Sequence, residues 1–119
     1  MGDGAVGQIL NLGKTILTGN ITAQGLGGAT SAVVVDSGGA LVLTGGASLN
    51  AQQQVTVGNS GQGFLTVAGG ALALAGQSST SPAIDLVIGG AGGSTGTVLN
   101  LELITATGQA VIGGAGTGT

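Results

Sequence analysis

The sequence has no cysteine, no histidine, no tryptophan and no tyrosine, and only one proline, one phenylalanine and one lysine or arginine in 119 residues. Without thiol or imidazole side chains there is no basis for a zinc, haem or iron–sulfur site, and none for thiolate chemistry or an imidazole base. One cation, Lys14, cannot neutralise a run of phosphates, so nucleic acid is not an expected partner. Charged residues are 4% of the chain, against roughly 25% in an ordinary soluble domain. Charge-rich disorder is excluded as well, because it combines low hydrophobicity with high net charge; here the hydrophobic fraction is 42%, the mean hydropathy +0.61 and the net charge −3. Long hydrophobic runs are also missing. Val33-Val34-Val35 and Val87-Ile88 are interrupted within a few residues, whereas about 18 continuous apolar residues are needed to cross a membrane, so no membrane partner is expected. Met1-Gly2-Asp3-Gly4 has no basic n-region, and Val6 stands where a myristoylation signal needs Ser or Thr. The chain reads either as a protein made without a leader or as a fragment excised from a longer one.

What is present is glycine, 28 of it, and an alternation of period two. Leu10-Asn11-Leu12, Leu41-Val42-Leu43, Val55-Thr56-Val57, Leu65-Thr66-Val67, Leu72-Ala73-Leu74 and Leu99-Asn100-Leu101-Glu102-Leu103 place apolar residues at i and i+2, the pattern of strands with one buried face. Gly-containing turns follow nearly every strand, at Gly45-Gly46, Gly58–Gly61, Gly69-Gly70 and Gly89-Gly90, where glycine supplies positive φ without steric cost. The units repeat. Val33-Val34-Val35-Asp36-Ser37-Gly38-Gly39 is followed by Val55-Thr56-Val57-Gly58-Asn59-Ser60-Gly61, then Leu86-Val87-Ile88-Gly89-Gly90-Ala91-Gly92 and Ala110-Val111-Ile112-Gly113-Gly114-Ala115-Gly116. Leaving out the polar stretch 77–83, which holds Pro82, makes the long interval from Val55 to Leu86 equal to the one from Leu86 to Ala110. The expected fold is therefore all-β: a single-domain parallel β-helix (β-solenoid) of about five rungs with a period near 22–24 residues. Residues 1–32 form an N-terminal rung or cap, 33–112 the repeat rungs with a loop insert at 77–83, and 113–119 a Gly-rich tail. A tail of this composition frays unless neighbours in an assembly hold it or it completes the last rung. Asn11, Asn20, Asn50, Asn59 and Asn100 beside strands and turns are read as surface turn residues, with amide ladders or left-handed corners as the alternative.

Two copies of the repeat, Val57-Gly58-Asn59-Ser60-Gly61-Gln62-Gly63-Phe64-Leu65-Thr66-Val67-Ala68-Gly69-Gly70-Ala71-Leu72 and Val87-Ile88-Gly89-Gly90-Ala91-Gly92-Gly93-Ser94-Thr95-Gly96-Thr97-Val98, carry a resemblance. From Val33 to about Gly116 the chain resembles the Gly-rich strand repeats of autotransporter passenger domains, and is similar to the short β-helical modules of bacteriophage virions, among them capsid decoration (cement) proteins, fibres and spikes. Passenger domains are several hundred residues long, follow a signal peptide and end in a membrane barrel, features not seen in this sequence. The virion likeness implies a non-enzymatic structural protein on the outer capsid surface, a homotrimer whose partner is the major capsid protein. The alternative is a fragment of a secreted autotransporter-type adhesin at the bacterial surface, or an extracellular solenoid filament. The candidate partner contacts are Ser79, Thr80, Ser81 and Pro82 of the insert and Thr117 and Thr119 of the tail, with the insert alone meeting a host surface under the adhesin reading.

Catalysis is not expected. Some β-helices cleave polysaccharides with clustered carboxylates, but Asp36, Asp85 and Glu102 are far apart along the chain and none has a base, a cation or a second acid beside it in sequence. Asp36 and Asp85 are read as corner residues or caps for turn amides. No metal or other cofactor is expected: the Gly-rich turns at 58–63, 89–93 and 113–118 contain no Asp for a calcium repeat, and Gly13-Lys14-Thr15 lacks the upstream glycine of a phosphate loop. Thr95-x-Thr97, Thr105-x-Thr107 and Thr117-x-Thr119 follow one another too closely to fall once per rung, and are not expected to stack into a flat water-ordering array.

Overall fold

Short β-branched and leucine-rich segments between Gly turns, each with one buried face, form strands that only stacking can complete. The computed structural model describes residues 6–7, 9–11, 13–23, 31–77 and 84–119. Its strands group into five rungs of three: β1 (Val6–Gly7), β2 (Ile9–Asn11) and β3 (Lys14–Leu17); β4 (Asn20–Ala23), β5 (Ser31–Val35) and β6 (Gly39–Leu43); β7 (Ser48–Ala51), β8 (Gln54–Val57) and β9 (Gln62–Val67); β10 (Leu72–Ala75), β11 (Ile84–Ile88) and β12 (Thr95–Asn100); β13 (Leu103–Ala106), β14 (Gln109–Ile112) and β15 (Thr117–Gly118). The first strands of the rungs pair in parallel as sheet A, the second as sheet B and the third as sheet C. The described chain is a three-walled parallel β-helix of five rungs, as the repeat predicts.

The repeat starts are the register of sheet B. Ile9, Val33, Val55, Leu86 and Ala110 are successive partners across the stack, so the unequal intervals between repeats are rung lengths. Length variation concentrates at the connection from sheet A to sheet B. It is two residues in the third and fifth rungs, but spans 24–30 in the second and 76–83 in the fourth. In those two longer rungs the following strand carries a bulge, at Ala32 and at Asp85, which restores the inward face after the longer approach.

Inside, columns of like side chains stack. Val33, Val55 and Leu86 line sheet B with Val35, Val57 and Ile88; Leu41 and Leu65 line sheet C with Leu43 and Val67; Ile21, Leu49 and Ala73 line sheet A with Ala23, Ala51 and Ala75. No rung could bury these residues alone. Gly39, Gly63, Gly96 and Gly118 form a further inward column at the corner from sheet B to sheet C. A Cβ on Gly63 would stand 2.1 Å from the Val35 carbonyl oxygen, and one on Gly96 equally close to that of Val57, so the repeat needs glycine there for close approach of backbones.

Two apolar segments point the other way from the alternation. In β10 the alanines Ala73 and Ala75 are buried, while Leu72 and Leu74 are half-buried on the outer side in register with Ser48 and Asn50. At that level the lumen already holds Leu86, Ile88 and Val98, and alanine on the third wall is what fits. Leu99–Leu103 is not one strand. The chain turns at 101–102 between β12 and β13, and Leu99, Leu101 and Leu103 are all exposed.

Candidate functional site

The acidic side chains of the described residues are the first candidates for chemistry, and each of these three lies at a different corner of the three-walled coil. Asp36 follows β5 at the corner from sheet B to sheet C, Asp85 lies in β11 beside the corner from A to B, and Glu102 occupies the corner from C to A. The Asp36 carboxylate accepts from the next rung: the Gly61 amide at 2.7 Å, the Asn59 amide at 3.2 Å, the Ser60 amide at 3.1 Å and the Ser60 hydroxyl at 2.8 Å. Burial opposes ionisation of this group, but the Gly61 amide, the Ser60 hydroxyl and amide and the Ser37 amide outweigh it and hold the carboxyl below its ordinary value. Asp85, fully buried, accepts from the Gly108 amide of the next rung. Its carboxyl occupies the space where a Cβ on Gly76 would stand. Glu102 accepts from the Gly70 amide of the rung below at 3.0 Å. Asp36 and Asp85 are thus turn caps, the role their positions beside β-runs suggest. Among the described residues no group of three or more His, Cys, Asp and Glu could hold a metal ion, and no helix is long and apolar enough to cross a membrane.

Of the candidate contact residues, Ser79, Thr80, Ser81 and Pro82 lie outside the described residues. Thr117 and Thr119 are exposed at the end of sheet C. The tail completes the last rung: Thr117 donates to the Ser94 carbonyl at 2.9 Å, Thr119 donates to that of Gly96 at 2.9 Å, and the Thr119 carbonyl accepts from Val98 at 2.8 Å. The threonine pairs behave differently from the expectation. Thr95 and Thr117 are register partners, because the two short intervals that separate the three pairs add up to one rung. The array stops there, since Gln62 and Phe64 take the equivalent places in the rung below. The asparagines form no ladder in the described sheets: Asn20 faces Ser48, and Asn50 faces Thr22 and Leu74. None of the described asparagines has positive φ.

The feature that sequence reasoning missed is the outside of sheet C. Inward Gly63, Leu65 and Val67 force Phe64, the only aromatic residue, to face out. Two columns run across this face, Lys14–Ala40–Phe64–Thr97 and Ile16–Val42–Thr66–Leu99. Ile16 is 56%, Phe64 41% and Leu99 52% exposed. Leu101 and Leu103 continue the apolar surface around the next corner. The signal was in the sequence as parity: once the glycine column is inward, every second residue from it is inward too, and the residues between face out. Sheet B offers a contrast, with a polar cluster in which Ser31, Gln54 and Thr56 share hydrogen bonds of 3.1–3.3 Å and Gln54 donates to the Ile84 carbonyl at 2.9 Å. No known protein family matches the chain, and no curated protein or solved structure is detectably similar to it.

Proposed function

We propose that this chain is a non-enzymatic structural protein, a capsid decoration (cement) protein of a bacteriophage that works as a homo-oligomer on the outer capsid surface and braces the major capsid protein. The observation that supports this reading is the apolar, nearly uncharged exterior of sheet C on a wall-stacked coil, the kind of surface that oligomeric subunits cover. The described acids point the same way: three carboxylates at three corners, each bound to turn amides, serve the backbone. The mechanism is mechanical, with parallel ladders giving stiffness and the exposed faces and edges making the contacts. The resemblance implies three copies.

A second reading, a segment of an autotransporter-type adhesin or solenoid filament, is favoured by the fifth rung. Ile112 continues the buried column of Val35, Val57 and Ile88 but is 62% exposed, a surface that a further rung would cover. Light scattering after size exclusion separates the two. A discrete closed oligomer, a whole multiple of the 10.9 kDa chain mass, supports the virion reading. A monomer or an open-ended ladder of masses moves the filament reading ahead.

A further inference from the structure

The outer face of sheet C carries its charges on a diagonal. Lys14, the only lysine or arginine in the chain, opens the first-rung strand at the corner from sheet B to sheet C. Glu102, exposed, lies two residues beyond the end of β12, in the fourth rung at the opposite margin. Between them the face is Ile16, Val42, Phe64 and Leu99 with small residues, and no other charged side chain.

We propose that two copies of this chain pack sheet C face to face about a two-fold axis lying in the interface, along the diagonal of the face that the charges leave free. This takes from the functional reading above only the self-association, not its stoichiometry. Such a rotation exchanges the two charged corners, bringing the Lys14 of each copy within side-chain reach of the Glu102 of the other, and the pair forms twice. The four strands of sheet C from the rung of Lys14 to that of Glu102 span about 14 Å at the usual spacing, close to the length of a short strand. The face is therefore nearly square, and the rotation lays the strands of one copy across those of the other near a right angle, one of the two ways in which sheets pack. Phe64 and Val42 lie near the axis, so each meets its own counterpart, and Ala40 lies over Thr66. A three-fold axis along the coil keeps equal rungs level instead, and leaves Lys14 and Glu102 three strand spacings, about 14 Å, apart. The apolar columns supply the affinity and the charges fix the orientation.

In solution the wild-type protein is expected to have the mass of two 10.9 kDa chains. Phe64→Asp sets two carboxylates against each other on the axis and gives a monomer. It keeps its β-sheet circular dichroism, since Phe64 is outside the core. At low salt Lys14→Glu and Glu102→Lys each weaken the dimer about tenfold, and the double reversal restores it to within about threefold of wild type. A trimer overturns the two-fold pairing and leaves the functional reading standing. A dimer that persists in Phe64→Asp, or a double reversal no tighter than Glu102→Lys alone, likewise overturns only the pairing. A monomer at every concentration overturns the pairing and the self-association together.

Discussion

Asp36, itself buried, stands at a change of wall beneath the exposed turn Asn59–Ser60, and its carboxylate collects the amides of Asn59, Ser60 and Gly61. Asp36→Asn keeps the shape but loses the charge-assisted acceptor, and costs about 2 kcal/mol at neutral pH, measured by urea unfolding. The pH dependence has a definite sign. The folded-state pKa lies below the unfolded one, so this stabilisation is complete above the unfolded carboxyl value of about 4 and disappears as pH falls through the lower, folded value. Melting curves between roughly pH 2 and 7 are expected to show the wild type losing stability below about pH 4, with a shallower loss in Asp36→Asn. The glycines divide just as sharply. Gly96→Ala drives a Cβ to within 2.1 Å of the Val57 carbonyl oxygen, whereas the nearest atom to a Cβ on Gly92 is 3.9 Å away. Gly96→Ala is expected to destabilise by about 3 kcal/mol or more and Gly92→Ala to stay within about 0.5 kcal/mol of wild type by thermal unfolding.

At the scale of the strand, what decides the cost of a substitution is which side of the wall the side chain occupies, and the two leucine-bearing strands β9 and β10 test this. Leu65 is buried in its column between Leu41 and Val98, and Leu65→Ala is expected to cost about 2–5 kcal/mol. Leu74 sits on the outer side, and Leu74→Ala should cost less than about 1 kcal/mol in the same chemical denaturation experiment. These two strands also mark how far the sequence can be read. The rungs, their number and the register of sheet B follow from Val33, Val55, Leu86 and Ala110, because a repeated Val–x–Val–Gly unit has one way to stack. Alternation alone is symmetric between the two faces, however. Leu72-Ala73-Leu74 looks like a buried pair until the volume of the lumen is known. The exposed run from Leu99 to Leu103 is obscured by a corner with no glycine in it. Asp36 and Asp85 were legible as caps because turn amides need acceptors, whereas nothing in the sequence marked Glu102 as one. The apolar face of sheet C becomes visible only when four strands, each a full rung from the next along the chain, are laid side by side.

For the molecule as a whole, stability is a sum over stacked rungs and their interfaces, so a change that leaves the stack in register is absorbed. Deleting residues 78–83 would join Gln77 directly to Ile84, leaving Gly76-Gln77 as a two-residue fourth-rung connection, as short as that of the third rung, Gln52-Gln53. The shortened chain is expected to keep its β-sheet circular dichroism and to melt within about 5 °C of the full chain. Removing a single residue from β9 instead would turn Leu65 and Val67 outward and unfold the third rung. One edge of the coil therefore obeys a different rule from the rest. Insertions and deletions in the long connections 24–30 and 76–83 are expected to be nearly neutral for folding, and in descendants of this chain they would accumulate there first. That edge is where selection can vary the length of the chain while the lumen goes on being copied unchanged.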